Sequence, residues 1–207
     1  MAKYTGSIFG EISGEQLGVV GSKWKGVPYV RRYVVPANPD TAAQQAQRSK
    51  FKNVSEFGRR IVNTVLNTYT LPLPKKMSAF NLFVSRNVKL QTTSTLDYSL
   101  LKIVQGTLYN PGISSLNGSA ASTNVDVGWD DTLIGEALAT DPAEAVIYIE
   151  ELDMFFYAAN AERSHTLVSV PCAGMTAGDN IHCWLYFVAT AETFTSDSEY
   201  DTAVCGA

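Results

Sequence analysis

The chain has 207 residues, 45% hydrophobic and 11% aromatic, which is enough to bury a core and excludes global disorder. Charged residues make up only 17%, against a usual share of about 25%, and this points to surface covered by partners. The net charge of −4 hides an asymmetry: residues 1–90 hold fourteen Lys/Arg and four Asp/Glu, a net of +10, whereas residues 91–207 hold two Lys/Arg and sixteen Asp/Glu, a net of −14. A basic half of this kind meets nucleic acid or the acidic half of another copy, unless the two are simply solvated surfaces that differ.

In chain order, residues 1–37 read as an extended, Gly-rich, basic arm. Gly6, Gly10, Gly14 and Gly18 recur every fourth residue, and glycines at that density break helices. Within it, "VPYVRRYVVPA" is β-branched and aromatic with two prolines, the pattern of an edge strand or an extended arm. Asn38-Pro39 then supplies an N-cap followed by proline, and Asp40 puts negative charge in the first turn. A long helix to about Thr68 is predicted, bent near Gly58, with Val54, Phe57, Ile61 and Val65, joined by Val62 and Leu66, on its apolar face. The prolines of "TLPLPKK" make a stiff linker at 70–76. A second helix follows, opened by Met77 or Ser78, with Phe80, Val84 and Val88 on one face. The helical region thus spans 38–92.

From 95 to 207 short β-rich runs bounded by turn residues appear near 98–105, 123–130, 144–151, 153–159, 164–171, 180–190 and 194–204. Seven strands in that length fit an antiparallel β-sandwich of immunoglobulin or fibronectin type, and "SLNGSAASTN" at 115–124 reads as a polar loop. The fold class is α+β: an extended N-terminal arm and long helix, then an Ig/fibronectin-like sandwich. In "IHCWLYFVA", Ile181, Cys183, Leu185 and Phe187 alternate with His182, Trp184 and Tyr186.

Catalytic chemistry is not legible. GxSxG, Walker A, HExxH and GxGxxG motifs do not occur. Cys172, Cys183 and Cys205 are odd in number and lack CxxC spacing, so they read as buried reduced thiols. His182 and Cys183 are neighbours on a strand and point to opposite faces, which argues against a shared metal ion. Asp130-Asp131 and Glu150, Glu151 and Asp153 sit where strands turn, and solvated hairpin ends are the simpler reading than a calcium site. No cofactor, metal or small-molecule substrate is expected. Residues 1–30 lack the apolar core of a signal peptide, and no run approaches the roughly 18 apolar residues of a membrane span.

The aromatic and basic residues of the first half carry the functional expectation. Trp24, Lys25, Tyr29, Arg31, Arg32 and Tyr33 in the arm, with Arg48, Lys52, Arg59 and Arg60 on the helix, are the expected interface. Aromatics with Arg are enriched at protein–protein hot spots. The same residue types stack bases and contact phosphates, so nucleic acid ranks next.

The successive motifs "GVVGSKWKGVPYVRRY", "ANPDTAAQQAQRSKF" and "KKMSAFNLFVSRNVK" resemble those of DUF6266, an uncharacterised family found in bacterial and phage genomes. The matching positions are Val20, Gly21, Trp24, Lys25, Gly26, Asn38, Pro39, Thr41, Gln44, Gln47, Arg48, Phe51, Lys76, Met77, Ala79, Phe80 and Asn81. "DYSLLKIVQGTL", "VDVGWDD" and "NIHCWLYFVA" resemble its β-rich second half, although the β-half loops here are longer and more acidic than expected of the family. The resemblance implies no activity. The helix-opening element is also similar to segments of phage structural proteins, which implies a virion role. The resulting expectation is a non-enzymatic structural protein of a tailed-phage particle, a head–tail connector, ring or tail component, assembled in the host cytoplasm. It would oligomerise with itself or with other virion proteins. An Ig-like surface-adhesion module and a nucleic-acid-associated protein are the alternatives.

Overall fold

The computed structural model describes residues 2–3, 14–16, 18–35, 37, 40–62, 77–190 and 194–207. The expected helix cap at Asn38-Pro39, the glycines at 6 and 10, the helix beyond Val62 and the proline linker at 70–76 lie outside them. The chain divides into two compact units, Met1–Thr41 and Ala42–Ala207.

The first unit is a four-stranded antiparallel sheet. Strands β1 (Ala2–Lys3), β2 (Gly14–Gln16), β3 (Val19–Trp24) and β4 (Val27–Arg32) lie in the order β1-β4-β3-β2. Where residues 1–37 are described, the strands are paired into a sheet rather than extended singly, and within the expected edge strand at 27–37 the segment Val27–Arg32 is an inner strand. β4 has a neighbour on either side because the chain reverses at Lys25-Gly26, where both residues take positive φ (48° and 84°). That is the two-residue turn whose twist matches paired strands, and Gly26 adopts it without a Cβ penalty. Pro28 is tolerated inside the sheet for a geometric reason. Trp24 and Val27 close the hairpin as a hydrogen-bonded pair, so the next pair, Lys23 and Pro28, exchanges no bonds across β3. The missing N–H faces the other side, where among the described residues β1 pairs with Tyr29 and Val30.

The second unit holds α1 (Ala42–Ile61), α2 (Ala79–Leu90) and strands β5 (Ser115–Ser119), β6 (Asn124–Gly128), β7 (Pro142–Ile149), β8 (Met154–Glu162), β9 (Leu167–Pro171), β10 (Asn180–Phe187) and β11 (Glu199–Val204). They form two antiparallel sheets, β11-β10-β7-β8 and β5-β6-β9. The period-two pattern read in β10 divides it between two cores. Ile181, Cys183, Leu185 and Phe187 join Ala145 and Ile147 of β7, Val125 and Val127 of β6, and Val168 and Val170 of β9. Trp184 and Tyr186 turn the other way, with Val146 and Tyr148, onto Val54, Phe57 and Ile61 of α1 and Phe83 and Val84 of α2. The four-stranded sheet is therefore covered on both faces, and this is why β10 is buried along nearly its whole length.

The helices belong to the same compact unit as the strands, rather than to a separate 38–92 region, because they supply the second cover. In α1 the stripe follows the expected spacing, with Val54, Phe57 and Ile61 buried; in α2 Phe83, Val84 and Asn87 are the buried positions, whereas Phe80 and Val88, expected on the apolar face with Val84, are half-buried. The Ser78 hydroxyl caps α2 by accepting from Asn81 N at 3.2 Å. At Gly58 a Cβ would stand 3.0 Å from the Phe83 ring and 3.2 Å from Phe80, so this glycine sets the distance between the helices.

Two strand expectations are corrected. Residues 98–105 form a 3-10 turn, Tyr98–Leu100, and an irregular stretch. Side chains satisfy that backbone in place of a neighbouring strand. Asn87 accepts from Lys102 N at 2.8 Å and donates to Lys102 O at 2.9 Å, and the Ser198 hydroxyl accepts from Ile103 N at 3.0 Å. Conversely, Ser115–Ser119, expected within a polar loop, pairs with β6 as an outer strand. Its outer flank is met at the end by the C-terminal segment, where Gly206 N donates to Gly118 O at 2.9 Å, and a Cβ at Gly118 would stand 2.2 Å from Ile181 Cδ1, so a larger residue there displaces the Ile181 side chain.

Candidate protein interface

The β3–β4 hairpin sorts the expected arm residues by face. Directly paired residues of an antiparallel ladder project to the same side. Trp24 pairs with Val27, Ser22 with Tyr29 and Val20 with Arg31, and these share one face. Tyr33 N donates to Gly18 O at 2.8 Å, which carries the ladder on and puts Tyr33 at the same parity. The opposite face holds Lys23 with Pro28, Gly21 with Val30, and Val19 with Arg32. The structure thus brings Trp24, Tyr29, Arg31 and Tyr33 together and places Arg32 on the reverse side.

The Trp24 face is open to solvent. Trp24 is 67% exposed, Val27 and Tyr33 are more than two-fifths exposed, and Arg31 is exposed. Lys25 Nζ sits 5.1 Å from the Trp24 ring centroid, within reach of a cation–π contact of about 0.5–1 kcal/mol at such a site. Val34 and Val35 follow, also exposed. Lys25-Gly26 between two β-rich runs carries the turn signal, which an extended-arm reading overlooks.

The four basic residues expected on the helix lie in the other unit. Arg48, Lys52 and Arg59 are exposed on α1, and Lys52 faces Glu56 at 3.9 Å one turn on. Arg60 is held by Asp153 of the same chain, in the turn between β7 and β8. Part of the basic half is thereby neutralised internally, as is Lys102, 3.5 Å from Glu199.

The acidic half divides the same way. Asp153 also accepts from the Tyr148 hydroxyl at 3.0 Å, and Glu151 takes both Asn180 N and Nδ2, at 2.8 and 2.6 Å. These carboxylates hold hairpin ends together. Among the described residues no three His, Cys, Asp or Glu side chains gather as a metal site would require. The segment between β6 and β7 differs: Asp130, Asp131 and Glu136 are exposed there, beside Leu133, Ile134 and Leu138, each half-exposed. Sequence reading treated its carboxylates as a hairpin end and passed over the apolar residues between them.

His182 lies on the helix-covered face of the sheet, opposite Cys183. Its Nδ1 is 2.8 Å from the Tyr200 hydroxyl, its ring is 4.3 Å from that of Tyr98, and Nε2 is buried 3.8 Å from Glu150. Burial lowers its pKa, against the opposing pull of Glu150. The neighbouring cleft, lined by Asn53, Glu56, Phe57, Arg60, Leu96, Tyr98 and Tyr148, encloses about 160 Å³. Small-molecule sites start near 300 Å³, and this cleft is smaller. Burial also raises the cysteine thiols, Cys172 to about 12, with Cys183 and Cys205 shifted the same way. All three are free and buried, which makes them inert core residues. No helix among the described residues is long and apolar enough to cross a membrane.

No curated protein and no solved structure matches the chain. One family model does, across residues 11–201, which takes in most of the hairpin unit and nearly all of the helix and strand unit. The chain therefore belongs to the family described as a family of unknown function, DUF6266.

Proposed function

We propose that this protein is a non-enzymatic assembly component that associates with further copies through the Trp24 face of its N-terminal sheet. The observation that carries the reading is that face: Trp24, Val27, Tyr29, Arg31 and Tyr33 lie side by side on a two-stranded framework, with the most hot-spot-prone residue types exposed. The charge split supports it, since a +10 half and a −14 half in one chain favour head-to-tail contacts, which close into rings or run on as tubes. In the second unit, we read the two sheets that share one core as a β-sandwich with the helices as a third layer. The setting we propose is a phage particle, at the neck, ring or tail, a proposal drawn from the sequence of the helix-opening element alone.

Light scattering with negative-stain imaging of the whole protein at low and high salt tests this. Discrete oligomers that weaken with salt are expected. The Trp24→Ala, Tyr29→Ala, Arg31→Ala triple variant loses them, whereas Arg32→Ala, on the reverse face, retains them. A monomer at every concentration removes the reading. A second reading, single-stranded nucleic acid on the same face, is favoured by the Lys25–Trp24 contact, because a cation beside an exposed ring is what a stacking platform needs. It predicts salt-steep binding of an oligonucleotide, lost on Trp24→Ala.

A further inference from the structure

Resting on that assembly reading, we propose the other half of the contact: the loop at 130–138 of a second copy receives the Trp24 face. The loop is held firmly at both ends. Trp129 is buried, and its indole N–H donates to Arg163 O at 2.8 Å. At the far end the Asp141 carboxylate is fully buried and accepts from Leu138 N at 2.7 Å and from Thr190 N at 3.1 Å. Ala137 is tucked into the core, and Gly135 turns the chain at φ 68°. What this scaffold projects is unusual for a solvated loop. Leu133, Ile134 and Leu138 are 50%, 52% and 54% exposed, and the exposed carboxylates of Asp130, Asp131 and Glu136 lie among them in the sequence of the loop. Among the described residues, none of these three carboxylates has a hydrogen bond or ion pair of the kind that Glu151 and Asp153 make.

The Trp24 face is its complement in both respects. Trp24, Val27 and Tyr33 offer apolar area, and Lys25 and Arg31 offer the cations. An apolar centre with a charged rim on each side is the usual anatomy of a specific interface. Opposite rim charges set register and speed the encounter. A second copy is the occupant because both complementary surfaces are written in one chain, and because they are different surfaces. Each copy then carries one donor and one acceptor, the arrangement of a heterologous contact.

The test is a charge swap in the full-length protein, read by sedimentation velocity at low salt, with far-UV circular dichroism as the folding control. Asp130→Lys with Asp131→Lys, and separately Lys25→Glu with Arg31→Glu, are each expected to weaken self-association at least tenfold. The four changes together restore most of it. Leu133→Ser with Ile134→Ser weakens it without altering charge. If the Lys25/Arg31 variant dissociates while both loop variants associate like wild type, the acceptor lies elsewhere; this inference falls and the assembly reading stands. If wild type never associates, the assembly reading fails first. If, in a strict monomer, loop reversal changes the emission difference between wild type and Trp24→Phe, in which the signals of Trp129 and Trp184 cancel, the contact lies within one chain and the inference is overturned.

Discussion

At the scale of single residues, the two histidines and three cysteines that invite a chemical reading are structural. His165 Nδ1 accepts from Glu162 N at 3.2 Å and caps a turn. His182 is held by Tyr200 from β11, Tyr148 and Glu150 from β7 and the turn after it, and Tyr98 from the 3-10 turn, with Glu151 further off. Its folded pKa lies below the unfolded value, so the neutral ring is the folded form. As pH falls below about 6.5 the unfolded chain takes up a proton that the folded chain resists, and stability is lost in that window. Urea midpoints at pH 7.5 and pH 5.0 should therefore differ more for wild type than for His182→Phe; equal differences would discount the effect. The alternation in "NIHCWLYF" already separated His182 from Cys183, but only the packed sheet supplied the aromatic neighbours Tyr98, Tyr148 and Tyr200, which come from three distant segments.

At the scale of elements, the helices were the most legible parts, because a 3.6-residue stripe and a Ser cap are local signals. Gly58 is an exception. Sequence suggests a bend there, whereas its role is close approach to α2. Gly58→Val pushes two methyl groups into the Phe83 and Phe80 rings and is expected to cost about 1–3 kcal/mol, measured by chemical denaturation. Unchanged stability would show that the helices separate readily at that point. The hairpin turn at Lys25-Gly26 was written in the sequence and misread, since Pro28 argued against a central strand. Its tolerance depends on which way the missing N–H faces, and that is a property of the pairing. Residues 98–105 failed in the opposite direction: apolar and β-prone, they are held by Asn87 and Ser198 rather than by a ladder.

At the scale of the whole molecule, the four-stranded sheet has two covers, and removing one is expected to be decisive. A fragment spanning 95–207 bares Val146, Tyr148, Trp184 and Tyr186 and should aggregate. The 42–207 fragment keeps them buried and should unfold in one transition, as followed by Trp fluorescence and size-exclusion chromatography. A soluble, monomeric 95–207 fragment would contradict the packing described. Composition and periodicity by themselves determined the class of elements, the alternation in β10, the stripe of α1 and the charge split, because each is a local or additive property of the chain, and the resemblance of its motifs pointed to the family. Only the tertiary structure decided that the basic arm is a sheet, that Trp24, Tyr29 and Arg31 share a face while Arg32 does not, and that Arg60 is held by Asp153. Those facts depend on strand register and on contacts between residues far apart in sequence, where a shift of one position turns every side chain to the other face.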